Sequence, residues 1–394
     1  MGIKGLMKLL TDEAPSCVKE MQMSQLSGRS VAIDASMALY QFLIAVRSAG
    51  EGGGAAQLTN EAGEVTSHIQ GMFNRTIRLM ENGVKPVYVF DGKPPVMKSG
   101  ELAKRTERRQ EAQASLKAAT EEGNQEDIDK FTKRLVRATP QHSEDCKELL
   151  GLMGIPFITA PCEAEATCAA LAKAGKVFAA GTEDMDVVTF GTPVLFRRLT
   201  IAASRKLPIL EIRIEKVLQE LNLSYEQFVD LCILCGCDYC DTIFGIGPKK
   251  ALNAIKEHKS IENFLAHLEK NPSKGVTVPQ DWLGEDAIYK QARSMFIEAE
   301  VADVSTIDFK WKEPNVDELR AFLVDKHGFN ADRVLNGIEK LKKAKTSHSQ
   351  QRLESFFTVL PSKDSNKRKA ADDKKGKSKT APAKGAPSKR GRKK

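Results

Sequence analysis

Seven acidic side chains, Asp34, Asp91, Glu163, Glu165, Asp184, Asp186 and Asp238, stand where carboxylates can gather. Asp34 and Asp91 each close a short β-branched or aromatic run, RSVAID and PVYVFD. Asp184 and Asp186 follow a third apolar segment across a Gly-Thr turn, and residues i and i+2 on extended chain face the same side. Glu163 and Glu165 open a helical stretch behind Pro161. In a parallel sheet, ligands collect beyond the carboxyl ends of the strands, so these acids can share one edge. Phosphodiester hydrolysis needs such a set. Mg²⁺ prefers oxygen ligands and binds through a few carboxylates plus substrate phosphates, and two ions about 4 Å apart activate water and stabilise the leaving oxygen. Each acid also has an ordinary reading. Asp34 suits a helix cap, Asp91-Gly92 a turn, and Glu163 and Glu165 a helix N-terminus. Taken together, four structural contexts that place acids at one edge favour a shared site.

The elements that must position them read as an α/β fold with a central, mostly parallel sheet flanked by helices. Strands are expected at residues 29–34, 86–91, 155–159, 176–180 and 193–196, and helices at 67–82, 163–174 and 224–234. Strand, helix, strand in the first part implies parallel pairing. Residues 98–139 are rich in Lys, Arg, Glu, Gln and Ala with few apolar positions, which predicts one or two largely exposed helices. A further helix-rich part follows residue 244 and reaches about residue 345.

Basic groups lie beside the acids in sequence. Lys98, Lys104, Arg105, Arg108 and Arg109 fall on the exposed helical stretch, which reads either as a solvated helical pair or as a basic arch that gathers single-stranded DNA. Arg47 and Arg75 sit on early helices and can grip phosphates, and Tyr40 can stack on a base or serve the core. Gly245, Gly247, Pro248, Lys249 and Lys250 form a Gly-x-Gly turn and a helix start. Backbone N–H groups there can hold a phosphate, and lysines that oppose the helix dipole suit a phosphate partner. The run Cys232, Cys235, Cys237, Cys240 invites a zinc reading. Its two C-x-x-C units are too close to wrap one tetrahedral ion, and Cys232 and Cys235 fit the buried face of the preceding helix.

Of the 394 residues, 41% are hydrophobic and 28% charged, enough for a sizeable core. The net charge of +8 is a property of the end of the chain: residues 361–394 hold 14 Lys/Arg against three Asp/Glu, leaving 46 basic and 49 acidic groups before them. Nucleic-acid binding by the folded part must therefore use local patches. No apolar run approaches 18 residues, so no membrane helix is expected. The start, MGIKGLMKLL, lacks the apolar region of a secretory signal, and Leu6 breaks a myristoylation pattern. The eight cysteines then read as reduced intracellular thiols. Beyond residue 361 the composition predicts disorder. Just before it, Gln350, Leu353, Phe356 and Phe357 form Q-x-x-L-x-x-F-F in polar surroundings, a hydrophobic plug for a partner. Basic clusters at 367–369, 374–375 and 389–394 suit nuclear localisation or DNA contact.

These motifs together resemble a eukaryotic flap endonuclease over residues 1–357. MGIKGL, VAIDAS around Asp34, VYVFDGKPP around Asp91, EAEA at Glu163 and Glu165, TEDMD at Asp184 and Asp186, GCDY at Asp238, GIGPKKA and the Q-x-x-L-x-x-F-F tail carry the resemblance. It implies a structure-specific 5′ flap endonuclease and 5′-to-3′ exonuclease acting in Okazaki fragment maturation and long-patch base excision repair. It implies two Mg²⁺ ions, one served by Asp34, Asp91, Glu163 and Glu165 and the other by Asp184, Asp186 and Asp238. Lys98 and Arg105 would polarise the scissile phosphate. Arg47, Arg75, Glu163, Gly236 and Asp238 would contact substrate, and GIGPKKA would be a helix–two-turn–helix element, often with K⁺. The partners implied are DNA with 5′ flaps and the trimeric sliding clamp PCNA, one enzyme per clamp subunit. The enzyme would be a monomer on its own, a phosphoprotein of nucleoplasm and nucleolus, with a mitochondrial pool by resemblance alone.

The corresponding division is a nuclease region at 1–109, an arch linker at 110–126, a second nuclease region at 127–258, a helical part at 259–345, the clamp motif at 349–357 and the basic tail from 361 to 394. Two features depart from the family. Cys235 and Cys237 flank Gly236 where an aliphatic residue and a serine are expected, which brings thiol chemistry near the site. The loop at 51–56 is expanded. Two other classes compete: a catalytically silent, clamp-bound DNA scaffold, and a zinc-organised nucleic-acid-binding module.

Overall fold

The computed structural model describes residues 2–48, 66–201 and 207–346. Seven strands form one sheet in the order β1-β7-β6-β5-β2-β3-β4. They are β1 (Val18–Met21), β2 (Ser30–Asp34), β3 (Lys85–Phe90), β4 (Phe157–Thr159), β5 (Ala179–Gly181), β6 (Val194–Arg197) and β7 (Ile209–Arg213). The five expected strands are β2 to β6, and every pairing among them is parallel. The antiparallel β7 and β1 extend the β6 side and were not expected. β1 reads VKEM, with two charged residues among four, as befits an edge strand. β7 buries Glu211 between Leu210 and Ile212, which breaks any local apolar signal. Both strands exist because of long-range pairing.

Alternation along the strands builds two cores. Ala32, Val87, Val89, Ala180 and Leu195 face one layer, while Val31, Ile33, Tyr88, Phe90, Ala179 and Phe196 face the other. Strands buried on both faces are the mark of a parallel sheet sandwiched by helices. The first layer is covered by α1 (Leu6–Glu13), α7 (Ala164–Lys173), α8 (Asp186–Thr189), α9 (Ile214–Leu221), α10 (Tyr225–Cys235), α11 (Pro248–His258), α12 (Ile261–Lys270) and α13 (Ile288–Ile297). The second is covered by α2 (Ala35–Ser48), α3 (Ser67–Glu81), α6 (Pro140–Leu152), α14 (Val316–Arg320) and α15 (Ala331–Thr346).

The polar stretch after Lys98 is two helices, α4 (Ser99–Glu122) and α5 (Gln125–Arg134). Gly123, in the left-handed region at φ 70°, ends α4, and the Asn124 side chain caps α5 by accepting from the Asp127 N–H. Of α4's 24 residues, only Ala112 and Ala119 are buried, so it gains little from packing. The boundary expected at 109/110 falls inside this continuous helix, and the described residues belong to one compact unit.

The connections from β2 run to β3 and β4 on one side, and those from β5 run to β6 on the other. The order reverses between β2 and β5, where an open α/β sheet offers a crevice beyond the strand ends. No described helix is long and apolar enough to cross a membrane.

Candidate metal and nucleic-acid site

Four of the five parallel strands, β2 to β5, deliver acids to that crevice. Asp34 is the last residue of β2, and Asp91 follows β3. Glu163 and Glu165 follow β4 at the start of α7, and Asp184 and Asp186 follow β5 at the start of α8. Asp238 comes from the turn after α10, whose first turn is fixed by a capping box between Ser224 and Gln227. A cavity of about 1350 Å³ is lined by Asp34, Asp91, Glu163, Glu165, Asp184 and Asp238. Tyr40, Lys98, Arg105 and Arg109 line it too, so α4 forms part of its wall.

The ordinary roles are present as well. Asp34 Oδ1 accepts from the Met37 N–H at 2.9 Å, and its Oδ2 accepts from the Thr182 hydroxyl at 3.1 Å. Asp91 Oδ1 accepts from the Ala164 N–H at 2.9 Å, capping α7 from another strand. Asp184 Oδ1 accepts from the Asp186 N–H at 3.0 Å. Glu163 is held differently: Lys98 donates to Oε1 and the Tyr239 hydroxyl to Oε2. Lys98 Nζ is also 3.7 Å from Glu165 and 3.5 Å from Asp238, and Arg105 donates to Asp238 at 2.6 Å.

Two cations do not neutralise seven acids, and burial makes the surplus expensive. Burial, then Asp91 and Asp184, push Asp34 up to about 7. Burial raises Glu165 well above the carboxylate range despite Lys98. Burial with Asp184 and Asp238 does the same to Asp186, and burial also raises Asp184. Burial opposes the charge on Lys98, but Glu165, Glu163 and Asp238 outweigh it and raise its pKa. A cation relieves such a set. Oxygens of Glu165, Asp184 and Asp186 lie within 4.8 Å of one another, the one such group of three metal-ligating side chains among the described residues. Asp186 is 1% exposed, and its Oδ1 has no hydrogen-bond partner among the described residues. This donor set, all hard oxygen with an orphaned buried carboxylate, fits a divalent cation.

Sequence reasoning passed over three contributors. Tyr239 holds Glu163 and Thr182 holds Asp34, both across more than seventy residues of chain. Gly2, at φ 76°, closes the site from the N-terminal side: a Cβ there would overlap Asp184 Oδ1 and Asp186 Oδ1. The G-x-x-G of MGIKGL was the available signal for that close approach.

The expected nucleic-acid residues are more dispersed. Tyr40 lines the cavity. Gly236, at φ 112°, ends α10, and its carbonyl accepts from the Lys4 N–H at 3.0 Å. Arg75 is engaged internally: it donates to the Thr200 carbonyl, with its guanidinium 4.6 Å from the Phe42 ring centroid. Gly247 caps α11 with open space around it, and Gly245 sits at φ 83° with its carbonyl accepting from Lys250 at 2.9 Å. Lys249 is exposed, 3.9 Å from both Asp12 and Glu13. The Arg47 side chain and the clamp motif with Gln350, Leu353, Phe356 and Phe357 lie outside the described residues. Cys232 and Cys235 are buried along α10 with free thiols, and the three-ligand group found among the described residues consists of acids.

Residues 1–112 match the XPG N-terminal domain, and residues 154–238 match the XPG I-region. The chain is 69% identical to flap endonuclease 1 of Phytophthora infestans over 385 residues, covering 98% of this chain and 99% of that one. It is 53% identical to flap endonuclease 1 of Homo sapiens over 386 residues, covering 97% and 98%. The chain belongs to the flap endonuclease 1 family. Among solved structures, this flap endonuclease is similar to flap endonuclease-1 from Methanococcus jannaschii, with a TM-score of 0.63 and 32% identity over 86% of this chain and 99% of that one. The catalytic core of Rad2 in complex with DNA substrate matches with a TM-score of 0.64 and 25% identity, covering 86% and 99%. The acidic crevice thus belongs to a nuclease fold.

Proposed function

We propose that this flap endonuclease cuts branched DNA at the base of 5′ flaps, by hydrolysing a phosphodiester bond held between the acidic crevice and the basic face of α4. The observation that carries this is the Glu165–Asp184–Asp186 oxygen cluster, with its unpartnered buried Asp186 Oδ1, facing Lys98 and Arg105. Asp34, Asp91, Glu163 and Glu165 would hold one Mg²⁺, and Asp184, Asp186 and Asp238 a second. Bound Mg²⁺ supplies an activated water and charge stabilisation at the leaving oxygen.

The chain's own groups do the rest. Lys98 and Arg105, held by acids in the cavity wall, are placed to exchange one carboxylate contact for a non-bridging phosphate oxygen. Lys104, Arg108 and Arg109 on α4 present positive charge to a single strand that enters the cavity, and Tyr40 offers it a stacking face. The backbone N–H groups in the first turn of α11, beyond Pro248, suit a duplex phosphate, and the turn carbonyls beside Gly247 suit K⁺. Hydrolysis leaves a 5′ phosphate, and the same site acting at nicks gives 5′-to-3′ exonuclease activity, for flap removal in replication and long-patch base excision repair. Gln350, Leu353, Phe356 and Phe357 would tether the monomer to PCNA, one per clamp subunit, in the nucleus, where the basic tail would direct it.

The test is cleavage of end-labelled double-flap DNA with Mg²⁺ by the native chain and by Asp186→Ala. Cleavage at the flap base by the native chain alone is expected. Intact DNA binding without cleavage by the native chain would sink the reading and leave a DNA-binding scaffold.

A further inference from the structure

Cys237 and Cys240 bracket two residues that each hold a part of the site. Between them, Asp238 accepts from Arg105 at 2.6 Å, and the Tyr239 hydroxyl donates to Glu163. The two sulfurs are 3.7 Å apart, both thiols are free, and both residues line the cavity. Both are buried, so the cavity wall is the side from which a small oxidant would approach them. The other cysteines lack this arrangement. Cys17, Cys146, Cys168, Cys232 and Cys235 are buried and line no part of the cavity, and Cys162 donates to Glu300 at 3.3 Å.

The loop is pinned on both flanks. The Gly236 carbonyl accepts from the Lys4 N–H at 3.0 Å, and the Asp241 carbonyl accepts from Trp282 Nε1 at 2.9 Å. Disulfide sulfurs are about 2.0 Å apart, so closure draws this pair together by roughly 1.7 Å. With Gly236 and Asp241 anchored, the backbone between them absorbs the change, and Asp238 and Tyr239 are that backbone.

We infer that Cys237 and Cys240 are an oxidation site for hydroperoxides, which close them into a reversible disulfide that displaces Asp238 and Tyr239 and turns cleavage off. One sulfur, as its thiolate, attacks a peroxide oxygen. The O–O bond breaks, the departing hydroxide (alkoxide from an organic hydroperoxide) takes up the proton that the thiol released and leaves as water (or alcohol), and a sulfenic acid forms. The second sulfur attacks the sulfenyl sulfur, forming the S–S bond and breaking S–O, and the hydroxide leaves as a second water with the thiol proton. Two electrons pass from the sulfur pair to the peroxide, and an external dithiol reverses the step by exchange.

The test treats the full reduced chain with hydrogen peroxide, removes the excess with catalase, and divides each sample. One half is alkylated and mapped by fragmentation mass spectrometry. The other is assayed on double-flap DNA with Mg²⁺, before and after dithiothreitol. The expected result is a peptide about 2 Da lighter, unalkylated at Cys237 and Cys240, with cleavage reduced at least tenfold and restored by the dithiol. Cys237→Ser and, separately, Cys240→Ala should cleave normally and keep that activity through peroxide. The proposal is overturned if both thiols remain alkylatable, if the disulfide forms without loss of cleavage, or if Cys237→Ser loses activity as the native chain does. The mass measurement does not depend on the metal reading of Asp238, whereas the loss of cleavage rests on it, so the two failures are distinguishable.

Discussion

Two clusters of acids, each with buried members, lie in the same molecule and are treated oppositely by the fold. At Arg293 each carboxylate bonds directly to the guanidinium. Asp230 on α10 accepts from Arg293 Nε at 2.7 Å and Nη2 at 3.0 Å, and from the Ile261 N–H at 3.2 Å. Glu262 on α12 takes Nη1 at 2.8 Å and Nη2 at 3.1 Å. One guanidinium on α13 thus ties three helices together with a fork geometry suited to two carboxylates. At the sheet edge, seven acids share Lys98 and Arg105, and Asp186 Oδ1 has no hydrogen-bond partner among the described residues. The residue types are alike. The first arrangement is complete within the protein, and the second is complete only when a cation and a phosphate enter.

Activity should divide along that line, and this is the largest effect expected. Asp186→Ala should lower single-turnover cleavage of double-flap DNA by about 10³-fold or more, roughly 4 kcal/mol of transition-state stabilisation. Its melting temperature should not fall. A variant that unfolds, or that cleaves normally, would place Asp186 with the structural acids and dissolve the contrast.

The reverse holds for Arg293→Met. It leaves Asp230 buried without its counter-ion, which costs about 3 kcal/mol of stability, while cleavage per folded molecule stays unchanged. Burial already raises Asp230 above the usual carboxylate range, against the pull of Arg293. Protonation neutralises the stranded acid, so the loss should shrink as pH falls. Urea unfolding at two pH values measures it. A loss of activity with full stability would show that the Arg293 cluster works on the site.

What the sequence made legible follows the same physics. The acids at the ends of β2 and β3 were readable because a buried strand is a short apolar run, and a charge at its end stands out. The exposed helical pair was readable from its polarity. β1 and β7 were not, since VKEM and the buried Glu211 carry no local pattern and their partners are distant. Tyr239 lies within GCDY, yet its bond to Glu163 spans a fold that no spacing encodes. Gly2 had a signal without a location until Asp184 and Asp186 were beside it. Arg75 reads as a free cation in sequence, but the structure brings the Thr200 carbonyl to it.

Proton and metal should compete at the sheet edge and not at Arg293. Asp34, Glu165 and Asp186 have pKa values raised by burial, so the metal-free fold holds their protons more tightly than the unfolded chain does. That contribution favours the fold below about pH 4 and is lost as pH rises, for Asp34 through about 7. Mg²⁺ displaces those protons, so its stabilisation should grow over the same range, reaching about 2 kcal/mol at saturating ion near pH 7.5 and little near pH 5. Thermal melts with Mg²⁺ or chelator measure it. A shift independent of pH would mean that the ion binds elsewhere.

The smallest effect is the most discriminating, because it asks for a gain. Asp186→Asn keeps the shape of the side chain and removes a charge that is 1% exposed, beside Asp184 and Asp238. In the metal-free protein burial, Asp184 and Asp238 outweigh the pull of Lys98, so at neutral pH the fold either carries this charge or holds its proton, and each is a cost that the amide does not bear. The variant should therefore be more stable than the native chain by about 1 kcal/mol without Mg²⁺. The advantage should shrink toward about pH 4, where the carboxyl of the unfolded chain also takes up its proton, and reverse with saturating Mg²⁺, which the amide binds poorly. Chemical denaturation under these three conditions reads the sign directly. The corresponding change in the other cluster, Asp230→Asn, should be destabilising at neutral pH, since an amide nitrogen in place of Oδ2 cannot accept from the Ile261 N–H and Arg293 Nη2. If both substitutions lowered metal-free stability equally, the sheet-edge acids would be held by the fold as firmly as those around Arg293.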